Sequence, residues 1–216
     1  PCSAPPLPDT PSQDLPDGPA TPSRWLTYPG DYPGRPFSPL PQITPANAGQ
    51  LAPQSTFQTG VVNKFEATPI VHDGVLYVTG PLNHAWAIDA RSGRQIWHYQ
   101  RQLPPGLKVC CGMVNRGFAI YGDRLFMGTL DAHFVALEMK TGKVIYDVEM
   151  AAAKDGFAAT GAPLVVNGKV IAGVAGGEFA NRGFLDAHHP ATGERLGRCY
   201  TIPAAAEHGG AWWVGG

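Results

Sequence analysis

The stretch "GVLYVTGPLNHAWAIDARSGRQIW", residues 74–97, sets the fold, because the chain writes it three times. The second copy is "DRLFMGTLDAHFVALEMKTGKVIY" at 123–146, and the third is "GKVIAGVAGGEFANRGFLDAHHPATGERLG" at 168–197. Each copy runs apolar strand, short turn, second apolar strand, Ser/Thr-Gly turn, further strand. The turn glycines Gly93, Gly142 and Gly193 recur at intervals of 49 and 51 residues. Each copy is preceded or opened by a hairpin-type turn: "HDG" at 72–74, "YGD" at 121–123, "VNG" at 166–168. Helical periodicity is nearly absent, with "MAAAKDGFAAT" at 150–160 the only weak candidate. A period of about 50 residues filled with short strands predicts an all-β fold, a β-propeller of four-stranded blades. A two-sheet sandwich has no reason to repeat the same turn at nearly constant spacing. Propellers close with four blades or more. Three clear repeats therefore read as the opening arc of a larger ring.

Outward from the repeats, the composition is that of a globular chain. It has 216 residues, 44% of them hydrophobic and 15% charged, with a formal net charge of −1. No basic stripe appears, which argues against nucleic acid as a partner. No apolar run reaches the 18 or so residues that span a bilayer. Residues 1–24 are rich in Pro, Ser and Asp and predict a disordered leader. From Trp25 the text turns aromatic and turn-rich, as expected of an extended segment laid on a folded body that occupies 25–216. The opening "PCSAPPLPD" has neither a methionine nor a signal segment, so the text fits a removed signal or an incomplete gene.

Four cysteines permit, without proving, an oxidising compartment. Two of them, Cys110 and Cys111, are neighbours. Consecutive α-carbons lie about 3.8 Å apart, whereas ordinary disulfides span roughly 4.4–6.8 Å. On the residues alone, two separate thiols or bonds to different partners is the favoured reading.

Candidate chemistry gathers where each repeat begins. Glu66 in "NKFEATPIV", Arg116 in "CCGMVNRG" and Thr160 in "AATGAPLVV" all stand just before a blade's first strand. First strands converge on a propeller's axis, so these side chains are expected around one central pocket. The third repeat is six residues longer than the others, and the extra text lies in "GVAGGEFANRG" at 173–183. Gly176 and Gly177 permit close backbone approach there, and Glu178 offers a carboxylate suited to a hard cation such as Ca²⁺. A solvated glutamate on a glycine-rich hairpin, and ordinary surface ion pairs, fit the same residues. An acid, a guanidinium, a hydroxyl and a second acid together suit a carboxylate-bearing ligand with a metal. No G-x-S-x-G, P-loop, C-x-x-C or dinucleotide fingerprint occurs, and the seven histidines show no ligand spacing.

Taken together, "SPLPQITPANAGQL", "FEATPIV", "CCGMVNRG", "AIDARSGRQIW" and "GGEFANRGFLDAHHPATGE" resemble the pyrroloquinoline quinone (PQQ)-dependent alcohol dehydrogenases, from about Trp25 to about Pro203. The resemblance implies an eight-bladed propeller, of which about three to four blades are written here. It implies that Cys110 and Cys111 bond to each other and pack against one face of the quinone. It implies cofactor contacts from Glu66, Arg116 and Thr160, backbone contacts from Gly176 and Gly177, and a Ca²⁺ or lanthanide ligand in Glu178. It implies that Trp97, after the Ser-Gly turn, docks one blade on the next. The family's activity is oxidation of a small alcohol in the periplasm, with electrons passed to cytochrome c.

Two departures stand out. Ala175 replaces the family's serine, which removes a hydrogen bond to the cofactor. The family's aspartate base and further metal ligands belong to later blades, so this chain alone is expected to be inactive, and either poorly soluble or self-associating. The alternative is a non-catalytic propeller scaffold for other proteins, which needs neither the cysteine pair nor the extended Glu178 hairpin.

Overall fold

The computed structural model describes residues 25–28, 38 and 40–204. The Pro-rich leader 1–24 lies outside the described residues. Twelve strands form three four-stranded antiparallel sheets, each in simple chain order. The first holds β1 (Ile70–His72), β2 (Val75–Thr79), β3 (His84–Asp89) and β4 (Gln95–Gln100). The second holds β5 (Ala119–Tyr121), β6 (Arg124–Gly128), β7 (His133–Glu138) and β8 (Val144–Glu149). The third holds β9 (Leu164–Val166), β10 (Lys169–Gly173), β11 (Phe184–His188) and β12 (Arg195–Tyr200). These are three consecutive propeller blades, as the repeats predict. The weak helical candidate contracts to one 3-10 turn, Ala153–Asp155.

The hairpins follow from their turn residues. His72 pairs with Val75 across Asp73-Gly74, and Val166 pairs with Lys169 across Asn167-Gly168. All four turn residues have positive φ, the conformation a two-residue hairpin of the right twist requires. Each blade also carries a register shift at the same place, after Ala87, Ala136 and Ala187, between its third and fourth strands. The repeat thus extends to a repeated bulge.

Burial grades across the arc. In the middle blade Leu125, Phe126, Met127, Phe134, Val135, Ala136 and Leu137 are wholly buried, because both faces meet a neighbour. In the third blade burial alternates along β11, and Leu164 and Leu185 stay exposed. Ahead of the blades, Trp25 pairs with Val71 through two backbone hydrogen bonds of 2.8 Å, and Leu26 enters the core. The segment from Trp25 is therefore laid on the body as an added edge to β1.

Successive blades dock by one repeated device. The Trp97 ring lies over Gly142, where an added Cβ would stand 2.7 Å from the indole, and Nε1 donates to the Met139 carbonyl at 2.8 Å. One blade on, Tyr146 occupies the same place over Gly193 and its hydroxyl donates to the Pro190 carbonyl at 3.0 Å. Before them, Ser55 fills the space over Gly93.

Candidate functional site

The loops that lead into the first strands of the blades are tied to one another around the inner rim. The Thr68 amide donates to the Arg116 carbonyl at 3.3 Å, and the Arg116 amide donates to the Thr160 carbonyl at 3.0 Å. The backbone ladder brings the side chains together as well. Arg116 pairs with Glu66 at 2.8 Å and donates to the Thr160 hydroxyl at 2.9 Å. The three blade-entry residues thus form one chain, acid to guanidinium to hydroxyl. Asn115 braces it from behind, donating to the Gly128 carbonyl and accepting from the Gly117 amide.

Beside this chain opens a pocket of about 190 Å³. One wall is the cysteine loop, where Cys110 and Cys111 are disulfide-bonded to each other across a Cα separation of 3.8 Å. The reading of two separate thiols is thereby replaced; Cys199 is free and exposed. Arg116 and Thr160 line the floor, and Gly176 and Glu178 the opposite wall. Gly177 lies between those two in a 3-10 turn, Gly177–Phe179, and is exposed. Glu66 reaches the site through its ion pair with Arg116. Ala175 also lines the pocket, and its backbone pairs with Ala158 on the adjoining loop, at 2.7 and 3.1 Å.

Several lining residues had no signal in the sequence. Gly156 and Phe179 touch each other at the pocket edge, and Val114 and Ala158 complete the apolar surface. Gly156 and Phe179 are 23 positions apart on different loops, and only packing reveals the pair.

The chemistry of the lining is specific. A planar anionic ligand has a disulfide to lie against, a guanidinium and a hydroxyl for its carboxylates, and a glycine backbone that permits close approach. Glu178 is the pocket's own carboxylate, since Glu66 is engaged by Arg116. No cluster of three or more His, Cys, Asp or Glu residues able to hold a metal occurs among the described residues. Among these residues Glu178 therefore stands in the pocket without other carboxylates beside it.

Residues 25–213 match the family described as PQQ: glucose/ethanol/alcohol dehydrogenase, β-propeller domain. The chain belongs to this family. It is 39% identical over 187 residues to the quinoprotein alcohol dehydrogenase PedH of Pseudomonas putida, covering 86% of this chain and 31% of that protein. It is 40% identical over 192 residues to a 1-butanol dehydrogenase (quinone) of Thauera butanivorans, covering 85% and 31%. Among solved structures, a europium-containing methanol dehydrogenase superposes with a TM-score of 0.81 at 33% identity, covering 86% of this chain and 33% of that one. The quinohemoprotein alcohol dehydrogenase ADHIIG of Pseudomonas putida gives 0.79 at 39% identity, covering 85% and 27%. The chain spans about a third of the length of these relatives.

Proposed function

We propose that this chain forms the cofactor-binding side of a PQQ- and Ca²⁺-dependent alcohol dehydrogenase, with a lanthanide as the alternative metal. The observation that carries the proposal is the convergence of Cys110, Cys111, Arg116, Thr160, Gly176 and Glu178 on one pocket. PQQ, when bound, supplies the two-electron redox chemistry that converts an alcohol to a carbonyl compound. The protein's part is to bind and orient. The disulfide gives a flat, non-ionisable surface against which a fused-ring system packs. Arg116 is held by Glu66 and Thr160 before any ligand arrives, so its guanidinium neutralises a carboxylate with little reorganisation. Glu178 supplies one oxygen-donor side chain to a cation that wants 6–8 oxygens.

The proposed electron acceptor is a cytochrome c, and the proposed compartment the periplasm. The Cys110–Cys111 bond supports an oxidising location. Among the described residues the pocket's one lining carboxylate is Glu178, which this reading assigns to the metal, so no second carboxylate is left to take the alcohol's proton, a contribution typically worth about 10²–10⁴-fold. The chain by itself is therefore expected to bind the cofactor without turning over alcohol.

The test is a titration of PQQ into the purified chain with and without Ca²⁺, followed by quenching of tryptophan emission. Saturable binding that weakens in Arg116→Ala, with a Ca²⁺ increment that vanishes in Glu178→Gln, supports the reading. Absence of saturable quenching under both conditions rejects it.

A further inference from the structure

We propose that Asn181 is a positioning residue that latches the Glu178 turn to the loop across the pocket, and so sets where the Glu178 carboxylate stands. The turn that bears Glu178 has little of its own to hold it. It is a single 3-10 turn closed by Phe179 and Ala180 amides donating to the Gly176 and Gly177 carbonyls at 2.9 and 3.1 Å, with a longer bond of 3.3 Å from the Asn181 amide to the Gly176 carbonyl. It ends on Ala180 at φ +63°, a left-handed conformation that alanine disfavours. A turn that ends on such a residue needs an outside restraint to persist.

The restraint lies around Gly156. The Asn181 side-chain amide donates to the Asp155 carbonyl at 2.8 Å, which ties the turn to the Ala153–Asp155 turn. Gly176 lies directly beneath the tie. A Cβ there would stand 2.7 Å from the Gly156 carbonyl oxygen and 2.8 Å from Asn181 Nδ2. Phe179 closes the other side, since a Cβ on Gly156 would meet its ring at 2.8 Å. Beyond the two Ala158–Ala175 backbone bonds at the base, one side-chain hydrogen bond, one backbone contact and one ring contact thus join the two loops at the turn itself. Gly156, Gly176, Glu178 and Phe179 all line the pocket, so the latch also sets the pocket's width. Asn181 itself is absent from the lining and touches no ligand position; it acts through the turn.

The inference rests on Glu178 as the metal-facing carboxylate, and its test has one arm that does not. Asn181→Leu and Asn181→Ala both remove the donor at a partly exposed site, the first with its volume retained. In the intact chain, cleavage by a glutamate-specific protease after Glu178 reports opening of this turn, and cleavage after Glu149 or Glu194 serves as the internal reference. Loss of a net-stabilising hydrogen bond is expected to raise the Glu178 rate about 3- to 10-fold in both variants and leave the reference rates alone. In the second arm Tb³⁺ is titrated into the chain with PQQ present and its emission recorded. Half-saturation is expected to rise about 3- to 10-fold in both variants, with the thermal midpoint nearly unchanged, and Glu178→Gln is expected to abolish the signal. Unchanged cleavage after Glu178 in both variants overturns the latch. Faster cleavage with wild-type Tb³⁺ half-saturation shows a tie that positions nothing, and overturns it too. If wild-type chain gives no Glu178-dependent Tb³⁺ signal, the metal reading falls, and the cleavage arm alone upholds or rejects the latch.

Discussion

Arg116 shows how one residue is made ready for a ligand by its neighbours. Its guanidinium spans Glu66 on the first blade's entry loop and Thr160 on the third's. A lysine can keep the charge but not both directed contacts, because an ammonium is a point charge and a guanidinium a planar fork. Arg116→Lys is expected to weaken PQQ binding about 10-fold while leaving the unfolding midpoint within a degree or two. Equal affinities in a quenching titration would remove Arg116 from the binding set. Ala180 offers a prediction of opposite sign. Its φ of +63° is a position glycine takes without penalty. Ala180→Gly is expected to raise stability by about 0.5–1 kcal/mol, the gain in the folded turn exceeding the added freedom of the unfolded chain. Urea denaturation of the two proteins measures it.

Among elements, the blades are held together by aromatic side chains placed over turn glycines. Trp97 is buried, packs on Gly142 and donates to the Met139 carbonyl. Trp97→Ala removes a large buried ring from a seam between two rigid sheets that cannot collapse to fill it. The expected cost is about 3–5 kcal/mol. Trp97→Phe keeps most of the packing and loses the hydrogen bond, with an expected cost nearer 1 kcal/mol. Chemical denaturation of both variants gives the two figures, and equal costs would show that the ring's volume contributes little. The device stops at the third blade. Gly197 occupies the place of Trp97 and Tyr146 in the repeat, and open space surrounds it. The third blade therefore presents no docking ring on the face where Leu164 and Leu185 are exposed.

At the scale of the whole molecule, the titrating groups predict how the fold responds to acid. Burial lowers the pKa of His84, His98 and His188 from the ordinary 6.5, and for His84 the neighbouring His98 adds to the effect. A depressed histidine is neutral in the fold and takes up its proton more readily when unfolded. Its contribution is fully present above about pH 6.5 and is lost as pH falls below that value. Asp131 behaves differently. Burial raises its pKa, but hydrogen bonds from Arg101 and Thr129 outweigh burial and hold it below 3.8. That contribution is present above about pH 4 and is lost only as pH falls further. Stability is therefore expected to hold between pH 7 and 8, decline in a first step below 6.5, and decline in a second below 4. Urea midpoints across pH 3–8 check the profile. His84→Gln combined with His98→Gln should shrink the first step to the part that His188 contributes and leave the second. A single decline confined to the region below pH 4 would show that the histidines do not couple to folding.

The blade order was legible because it is written locally. Asp73-Gly74 and Asn167-Gly168 permit few connections other than tight hairpins, and the turn glycines mark the period along the chain. The blade-entry residues Glu66, Arg116 and Thr160 were legible as candidates because repetition puts equivalent positions at equivalent heights, whereas the Cys110–Cys111 bond was expected only from the family resemblance. The assembly of the site was not legible. Arg116 meets Thr160 across 44 positions, and Arg101 meets Asp131 and Asp147 across 30 and 46. Nothing local specifies such pairs; they depend on how one twisted sheet stacks on the next. The same holds for the tie between Asn181 and the Asp155 carbonyl, which no pattern in "GGEFANRG" announces. Short-range sterics and hydrophobic alternation act within a few residues, and by them the sequence alone determined the strands, the hairpins and the repeat. Which side chains share a pocket was decided by the tertiary structure, because the stacking of one blade on the next joins residues that the chain keeps tens of positions apart.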